Sequence, residues 1–407
     1  MHILDISTEK VFFNSRQFGF RKQTSTTDSC LMLKETVNKY INDKNDRVHS
    51  LFVDLSKAFD NVDHIQLGQL LLKRKLPPDI VLFLMHYLRN QRARIVWKGK
   101  CGDYFQIEKG VRQGGILSPF LFKLYIDDIL HEICDSDIGC KLGLVRINVL
   151  AYADDIVLIA STQNQLAELY SILSQGMIHR KLSINKRKTK CMIFRKHFSG
   201  SALKDDVILA GDTFEVVSEY KYLGYILQDN LSDVNDVKFR LNSFYAKFNW
   251  VFRTFKNVSM EVLYFLFKSF CTPDYGLSMW NTGEIVSRPI FKTFVVAFSN
   301  ALKKILNVPI ASSSHAVAET FNQLLFIHFV TFNQVRYFKR IFKSCNPLLK
   351  LSIFNLKQGY LFSVISRRLR DEYRCDILSN DLDILKARIN WVQNHEPRTG
   401  RALTQSN

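Results

Sequence analysis

The sequence predicts an α+β fold, with short strands and helices mixed over roughly the first 230 residues and long helices after them. Three observations predict it. Two apolar, β-prone runs, Val149–Ala151 and Ile156–Ala160, flank Tyr152-Ala153-Asp154-Asp155, and a third run, Leu51–Val53, also ends in an acid, Asp54. Short β-branched runs bounded by turn-formers read as buried strands. From Asp233 onward the strand signal stops, and long amphipathic segments follow, Val234–Asn257, Glu261–Cys271, Pro289–Leu306 and Phe321–Ser344.

Before the first acidic strand, Arg16-Gln17-Phe18-Gly19-Phe20-Arg21-Lys22 is a basic loop with interleaved aromatics, suited to phosphates and bases. Thr27-Asp28 caps a predicted helix from about Ser29 to Asn42, and Asp43 to Arg47 is a charged turn. After Asp54 the chain turns towards helices near His64–Lys75 and Pro78–Asn90, the second with proline at its opening. Arg92–Trp97 and Tyr104–Glu108 read as a hairpin around Gly99-Lys100-Cys101-Gly102. Gly110-Val111-Arg112-Gln113-Gly114-Gly115-Ile116-Leu117-Ser118-Pro119 is a glycine-rich loop that leads into an apolar helix ending near Ile133. Its glycines let a ligand approach the backbone closely, and Gln113 offers a donor and an acceptor. Gln163–Lys181 is an amphipathic helix, Leu182–Lys190 a basic turn and Cys191–Phe194 a strand. Val207–Ala210 and Phe214–Val217 pair across Gly211-Asp212, and Tyr220–Leu227 is a further strand or hairpin.

The 407 residues carry a net charge of +18 with 47% hydrophobic content, enough for two or three domains with ample core. The excess is uneven: residues 231–407 hold 24 Lys and Arg against 12 Asp and Glu. Such a balance points to a polyanionic partner, nucleic acid before a membrane. The eight cysteines are dispersed without metal-finger spacing and read as reduced thiols. The N-terminus has Asp5 and Glu9 and no apolar segment of a secretory signal, and no run approaches 18 uninterrupted apolar residues. Neither secretion nor a membrane span is expected. The last dozen residues are expected to fray. The phenylalanines of the helical half read as bundle core, with the basic side as the contact surface.

Two adjacent carboxylates inside an apolar span repel one another and are costly to bury, so they call for a cation; the alternative is a solvated Asp-Asp turn. Asp54 is a third carboxylate at a strand end. If its strand lies beside the Asp154–Asp155 hairpin in one antiparallel sheet, the three converge on one spot. Hard oxygen ligands suit Mg²⁺, with a shell completed by substrate phosphates, and two such ions serve in-line phosphoryl transfer. No Ser/His/Asp arrangement, Walker loop or dinucleotide fingerprint competes.

Asp54 with Phe59, Gly110 to Pro119, and Tyr152-Ala153-Asp154-Asp155 together resemble a reverse transcriptase. Lys57-Ala58-Phe59-Asp60, Gln17 to Lys22, Leu182-x-Ile184-Asn185-x-x-Lys188-Thr189 and Tyr222-Leu223-Gly224 are similar to the non-LTR, LINE-type retrotransposon form. Each block is weak alone; the ordered set from residue 17 to 227 is specific. The resemblance implies a right-hand polymerase. Its partial fingers would cover 1–50 and its ferredoxin-like palm 51–230, with a fingers insertion at about 65–110. A helical thumb would span 231–309 and a basic helical region 310–407. It implies that Asp54, Asp154, Asp155 and the Leu55 carbonyl hold two Mg²⁺ ions, with Mn²⁺ as a substitute. Phe59 would exclude a 2′-hydroxyl, and Arg21, Gln113, Gly114, Tyr152 and Ala153 would line the nucleotide. Lys188 would protonate pyrophosphate, and Tyr222, Leu223 and Gly224 would grip the primer. Implied partners are an RNA template, a DNA primer or target and dNTPs, in a ribonucleoprotein of nucleus and cytoplasm. Gln23-Thr24 stand where the family usually has Gly-Arg, which removes one template-side cation. The chain is expected to be a fragment that lacks the endonuclease and the N-terminal part of the fingers. An inactive nucleic-acid-binding remnant and an RNA-dependent RNA polymerase are the alternatives.

Overall fold

The structure, a computed structural model, describes residues 13–43, 47–196, 206–273, 275–344, 346–349 and 360–376, together with 382 and 386–387. The expected frayed terminus and most of the charged turn after residue 43 lie outside these residues. The chain forms two compact units, 1–218 with 346–348, and 219–345 with 349–407. The sequence places the change of style near residue 230. The division falls at Ser218/Glu219 instead, because the hairpin that follows packs on the first long helix of the second unit.

The first unit is built on a four-stranded antiparallel sheet. After helix α1 (Thr26–Asp43), strand β1 (Val48–Val53) runs through its middle. Helices α2 (His64–Lys73) and α3 (Pro78–Arg89) follow, and then β2 (Arg92–Ala93), β3 (Val96–Trp97), β4 (Lys100–Cys101) and β5 (Phe105–Gln106), nested as two short pairs of one hairpin. Helix α4 (Ser118–Asp135) leads to β6 (Cys140–Leu142) and β7 (Val145–Ile147). This hairpin is absent from the sequence reading, although Gly139 and Gly143 punctuate it, both at positive φ. Strands β8 (Val149–Tyr152) and β9 (Asp155–Ala160), helix α5 (Gln163–His179) and β10 (Lys190–Phe194) complete the sheet in the order β10-β1-β9-β8.

Its strands are apolar on both faces because both are covered. Leu51, Val53, Ile156 and Leu158 join one buried cluster with Phe122 and Ile126 of α4 and Leu166 and Leu173 of α5. Phe52, Val157 and Ile159, pointing the other way, are also buried, and α1 packs against β1 and β8. Each fully buried aliphatic side chain contributes about 1.5–3 kcal/mol, so register is firmly held. The expected turn of the last hairpin in this unit is one residue off. β11 (Val207–Leu209) and β12 (Asp212–Phe214) turn through Ala210-Gly211, at φ +46° and +88°, not Gly211-Asp212. A type I′ turn needs left-handed backbone at both central residues, and this register gives glycine one of them.

The second unit opens with hairpin β13 (Glu219–Tyr222) and β14 (Tyr225–Gln228), then α6 (Val234–Thr254) and α7 (Met260–Leu266), which runs into a π turn at Phe267–Cys271. A short α8 (Thr282–Ile285), α9 (Pro289–Ile305), α10 (Ser314–Thr320), α11 (Phe326–Phe342) and α12 (Tyr360–Tyr373) follow. Phenylalanine rings at 244, 248, 267, 294, 298 and 326 meet with centroids 4.3–6.2 Å apart and form the core. The predicted helix from Phe321 does not form there. The Phe321 ring stacks on Tyr264 at 4.1 Å, the Tyr264 hydroxyl donates to the Phe321 carbonyl, and Asn322 takes φ +47°, so α11 starts at Phe326. Asparagine tolerates that backbone better than most residues.

Candidate active site

Register brings the acids together. Val53 pairs with Ile156 and Tyr152 with Asp155, so Asp54, the next residue after β1, comes level with Asp155, the first of β9. Ala153 and Asp154 form the two-residue turn of the β8–β9 hairpin, with Ala153 at φ +57°. That conformation costs an L-residue about 1–2 kcal/mol and is maintained by its surroundings. Asp155 is itself exposed, yet partial desolvation first, then the charges of Asp154 and Asp54, raise its carboxyl to about 6. Asp154 is also raised, by burial first and then by Asp54. No lysine or arginine among the described residues pairs with any of the three. This is a set of hard oxygen donors with unneutralised mutual repulsion, which fits divalent cations by its chemistry. Among the described residues, no three His, Cys, Asp or Glu side chains gather into a ready-made metal cage. The carboxylates therefore feel one another across the turn without being drawn onto a common point.

The loop after α5 is stitched to the end of β1. The Asn185 amide donates to Asp54 O, the Ser56 amide to Ser183 O, and the Asp54 amide to Thr189 Oγ1. Leu55 bridges Ile184, and the bonds of that bridge leave the Leu55 carbonyl outside the ladder. Lys188 is exposed on this same loop. Phe59 lies one short turn on, half-buried, with its ring stacked on Phe122 at 4.6 Å. Its carbonyl accepts from Val111, and Gly110 donates to Val62 O. Gly110 has φ +91°, and a Cβ there would meet the Asp60 backbone at 2.7 Å, so only glycine lets the two segments close. Gln113 is exposed and donates to Asp60 Oδ1 at 3.4 Å, and Gly114, at φ +80°, stands in the open.

The N-terminal basic loop lies along the outer edge of β8. Arg16 O accepts from Ala151 N, and Phe18 N donates to Ala151 O at 2.7 Å. The Phe20 ring lies 6.2 Å from that of half-buried Tyr152. Arg21 donates to Asn14 O, and its guanidinium, lowered by burial and supported by Asp127, is directed into the protein rather than to the acidic turn. Lys123, unremarked in the sequence, is buried beside it. Its ammonium donates to Phe20 O, and burial and then Arg21 push it down to about 8. Thr189 and Asn185, which tie the loop to Asp54, were visible only as parts of a motif. Tyr222, Leu223 and Gly224 belong to the second unit. They make its hairpin turn, with Leu223 at φ +47° and Gly224 at +82°. Tyr275 donates to Leu223 O, and Arg240 Nη2 to Gly224 O at 3.2 Å.

An acidic hairpin beside an acid-ended strand, on an antiparallel sheet backed by two helices, defines a class of phosphoryl-transfer polymerase. Residues 2–227 match the family model described as "Reverse transcriptase (RNA-dependent DNA polymerase)", more than half of the chain, and the protein belongs to the reverse transcriptase family. Its fold is accordingly that of a right-hand polymerase, and the family in general depends on a divalent metal. The RNA-directed DNA polymerase from mobile element jockey of Drosophila funebris is 26% identical over 312 residues, 72% of this chain and 32% of that protein. The Pol polyprotein from the type-1 retrotransposable element R2 of Nasonia vitripennis is 33% identical over 136 residues, 33% of this chain and 13% of that protein. The chain thus spans a third or less of the length of these relatives. Among solved structures, apo telomerase from Candida tropicalis is similar over 96% of this chain and 61% of its own, with 12% identity and a TM-score of 0.44. No helix among the described residues is long and apolar enough to cross a membrane.

Proposed function

We propose that this chain is the RNA-directed DNA polymerase part of a non-LTR retrotransposon protein, extending a DNA primer 3′-hydroxyl on an RNA template with dNTPs. The observation that carries this reading is the register of Asp54 against Asp155, which puts three carboxylates without a cationic partner at one end of the sheet. Asp54, Asp154, Asp155 and the Leu55 carbonyl would hold two Mg²⁺ ions, for which Mn²⁺ could substitute. When bound, these ions acidify the primer hydroxyl and neutralise the departing pyrophosphate.

The chain's own residues do the rest. Phe59, its ring braced on Phe122, would be the group that a 2′-hydroxyl strikes. Gln113, Gly114, Tyr152 and Ala153 line the nucleotide, and Lys188 acts on its phosphates as proton donor to pyrophosphate, whereas Arg21, bonded to Asn14 O, is turned away from them. Support for Lys188 is the stitching of its loop to Asp54. Tyr222, Leu223 and Gly224 hold the primer end from a turn fixed by Tyr275 and Arg240. Fingers, palm and thumb would follow in the order that the resemblance implies. The basic second unit contacts the nucleic acid, in a ribonucleoprotein of cytoplasm and nucleus.

Primer extension on an RNA template with a divalent ion tests the reading. Asp154→Asn is expected to reduce the rate by about 10³-fold or more, equivalent to about 4 kcal/mol of lost transition-state stabilisation. Equal rates in the two proteins would overturn it. Salt-sensitive RNA binding without any extension product would leave the remnant reading in its place. Phe59→Ala is expected to admit rNTPs; a wild type that already prefers rNTPs would defeat the gate.

A further inference from the structure

One conspicuous residue of the N-terminal basic loop has no place in the chemistry above. Gln17 is fully buried, yet it is a polar side chain on the edge of an apolar sheet. Its Oε1 accepts two hydrogen bonds, from Gly19 N at 2.9 Å and from Ala153 N at 3.0 Å. Its Nε2 is buried with no partner among the described residues. Burying an unpaired amide nitrogen is unfavourable, so an apolar side chain of equal length would suit packing better unless the two bonds to the oxygen matter. Those bonds converge on the acidic turn. Ala153 is its left-handed residue, and a Cβ at Gly19 would fall 2.5 Å from Ala153 N. Gln17 itself bridges Ala151, two residues before that turn.

We propose that Gln17 is a positioning residue for the catalytic carboxylates: its amide oxygen clamps the Ala153 amide and thereby sets where Asp154 and Asp155 stand relative to Asp54. The clamp holds Ala153 in its strained conformation and locks the Gln17–Gly19 segment onto the same turn. The inference rests on the reading of the three acids as metal ligands. It assigns a role to the first residue of a motif that the nucleotide-binding roles leave unexplained.

The test compares the full chain with Gln17→Met, which keeps length and apolar bulk but has no acceptor, and with Gln17→Glu, which keeps a carbonyl-type acceptor. Binding of Mn²⁺ alone, followed by the electron paramagnetic resonance of the free ion, is measured beside thermal melting and primer extension. The Met variant is expected to bind Mn²⁺ about tenfold or more weakly, as loss of a residue orienting metal ligands does. Its kcat is expected to fall about 10- to 100-fold with the dNTP KM within about threefold, the pattern of misplaced catalytic groups. The Glu variant should recover most of both. A Met variant with wild-type Mn²⁺ affinity, or one whose kcat falls only in proportion to its folded fraction, overturns the clamp. If the Met variant does not fold, the Glu variant decides, since loss of Mn²⁺ affinity there, with the acceptor kept, also overturns it. A wild-type chain that neither binds Mn²⁺ nor extends a primer removes the metal-site reading itself, a result distinct from a clamp that fails in an active enzyme.

Discussion

Asp154 and Asp155 in the first unit and Asp233 and Asp236 in the second are both close pairs of acids beside a β-hairpin, and the protein treats them in opposite ways. Asp236, with no solvent exposure, accepts from Arg240 Nε and Nη2 at 2.7 and 2.9 Å, Trp280 Nε1 at 2.8 Å and Ile226 N at 3.1 Å. Asp233 accepts from the Tyr225 hydroxyl and from Asn281 N. Both oxygens of Asp236 are used twice, and its charge is cancelled by a guanidinium in the same helix. The pair on the β8–β9 turn has no such company, and desolvation and like charge raise both carboxyls. Neutralised acids hold a hairpin on a helix; unneutralised ones keep a place for a cation that comes with the substrate.

The largest effect expected from this contrast is at Asp236. Asp236→Asn leaves Arg240 buried without its counter-charge and should cost about 3–5 kcal/mol in a urea melt. A loss below about 1 kcal/mol would mean that the network is not what secures the second unit. Next comes His328, half-buried against the Tyr373 hydroxyl at 2.7 Å and pushed down to about 4 by desolvation, then Arg368 and His315. Its folded value lies below the unfolded 6.5, so the unfolded chain binds the proton more readily. Stability is then present above about 6.5 and lost as pH falls through 4, to the extent of about 3 kcal/mol. His328→Phe should flatten that acid limb in melts of the second unit's signal; an unchanged limb would place the titration elsewhere. The smallest effect has the opposite sign. Asp155 has a folded value above its unfolded one, so its contribution to stability is present below about pH 4 and declines as pH rises through 6. Without divalent ions at pH 7, Asp155→Asn should therefore stabilise the fold, by about 1 kcal/mol once solvent screening is allowed for. A destabilised Asn variant would show that the site is neutralised within the chain after all, and the contrast would fall.

The acids themselves were legible in the sequence because each interrupts or ends an apolar run, and the antiparallel pairing of β1 with β9 follows the condition set for their convergence. Phe59 and the glycine-rich loop were legible as motifs, and the structure ties them at Gly110. What stayed hidden depends on contacts between residues far apart in the chain. Gln17 meets Ala153 across 136 positions, and Asp54 N meets Thr189 across 135. Neither leaves a periodicity to read. The break before Phe326 was hidden for a related reason: the Phe321 ring prefers Tyr264, a tertiary contact that overrides a helical pattern. The β6–β7 hairpin was the avoidable omission, since Gly139 precedes it, Gly143 opens its turn and Cys140 to Ile147 nearly alternate.

One joint in the first unit has a modular consequence. Between Val62 and Gly110 the chain makes a long excursion through α2, α3 and the 92–106 hairpin, and then returns to where it left. Gly110 N meets Val62 O at 2.7 Å, Val111 N meets Phe59 O at 2.8 Å, and His64 Nε2 contacts Gly110 O at 2.7 Å. Entry and exit are fastened to each other; Leu67, Leu71 and Leu84 of α2 and α3 join the buried cluster under the sheet, so it is the exposed 92–106 hairpin at the far end of the excursion whose length the sheet does not sense. Doubling such a loop adds only about 0.6 kcal/mol of closure entropy. That hairpin is thus a segment that related chains are free to shorten, lengthen or exchange while the ring of Phe59, on the near side of the joint, stays at its post.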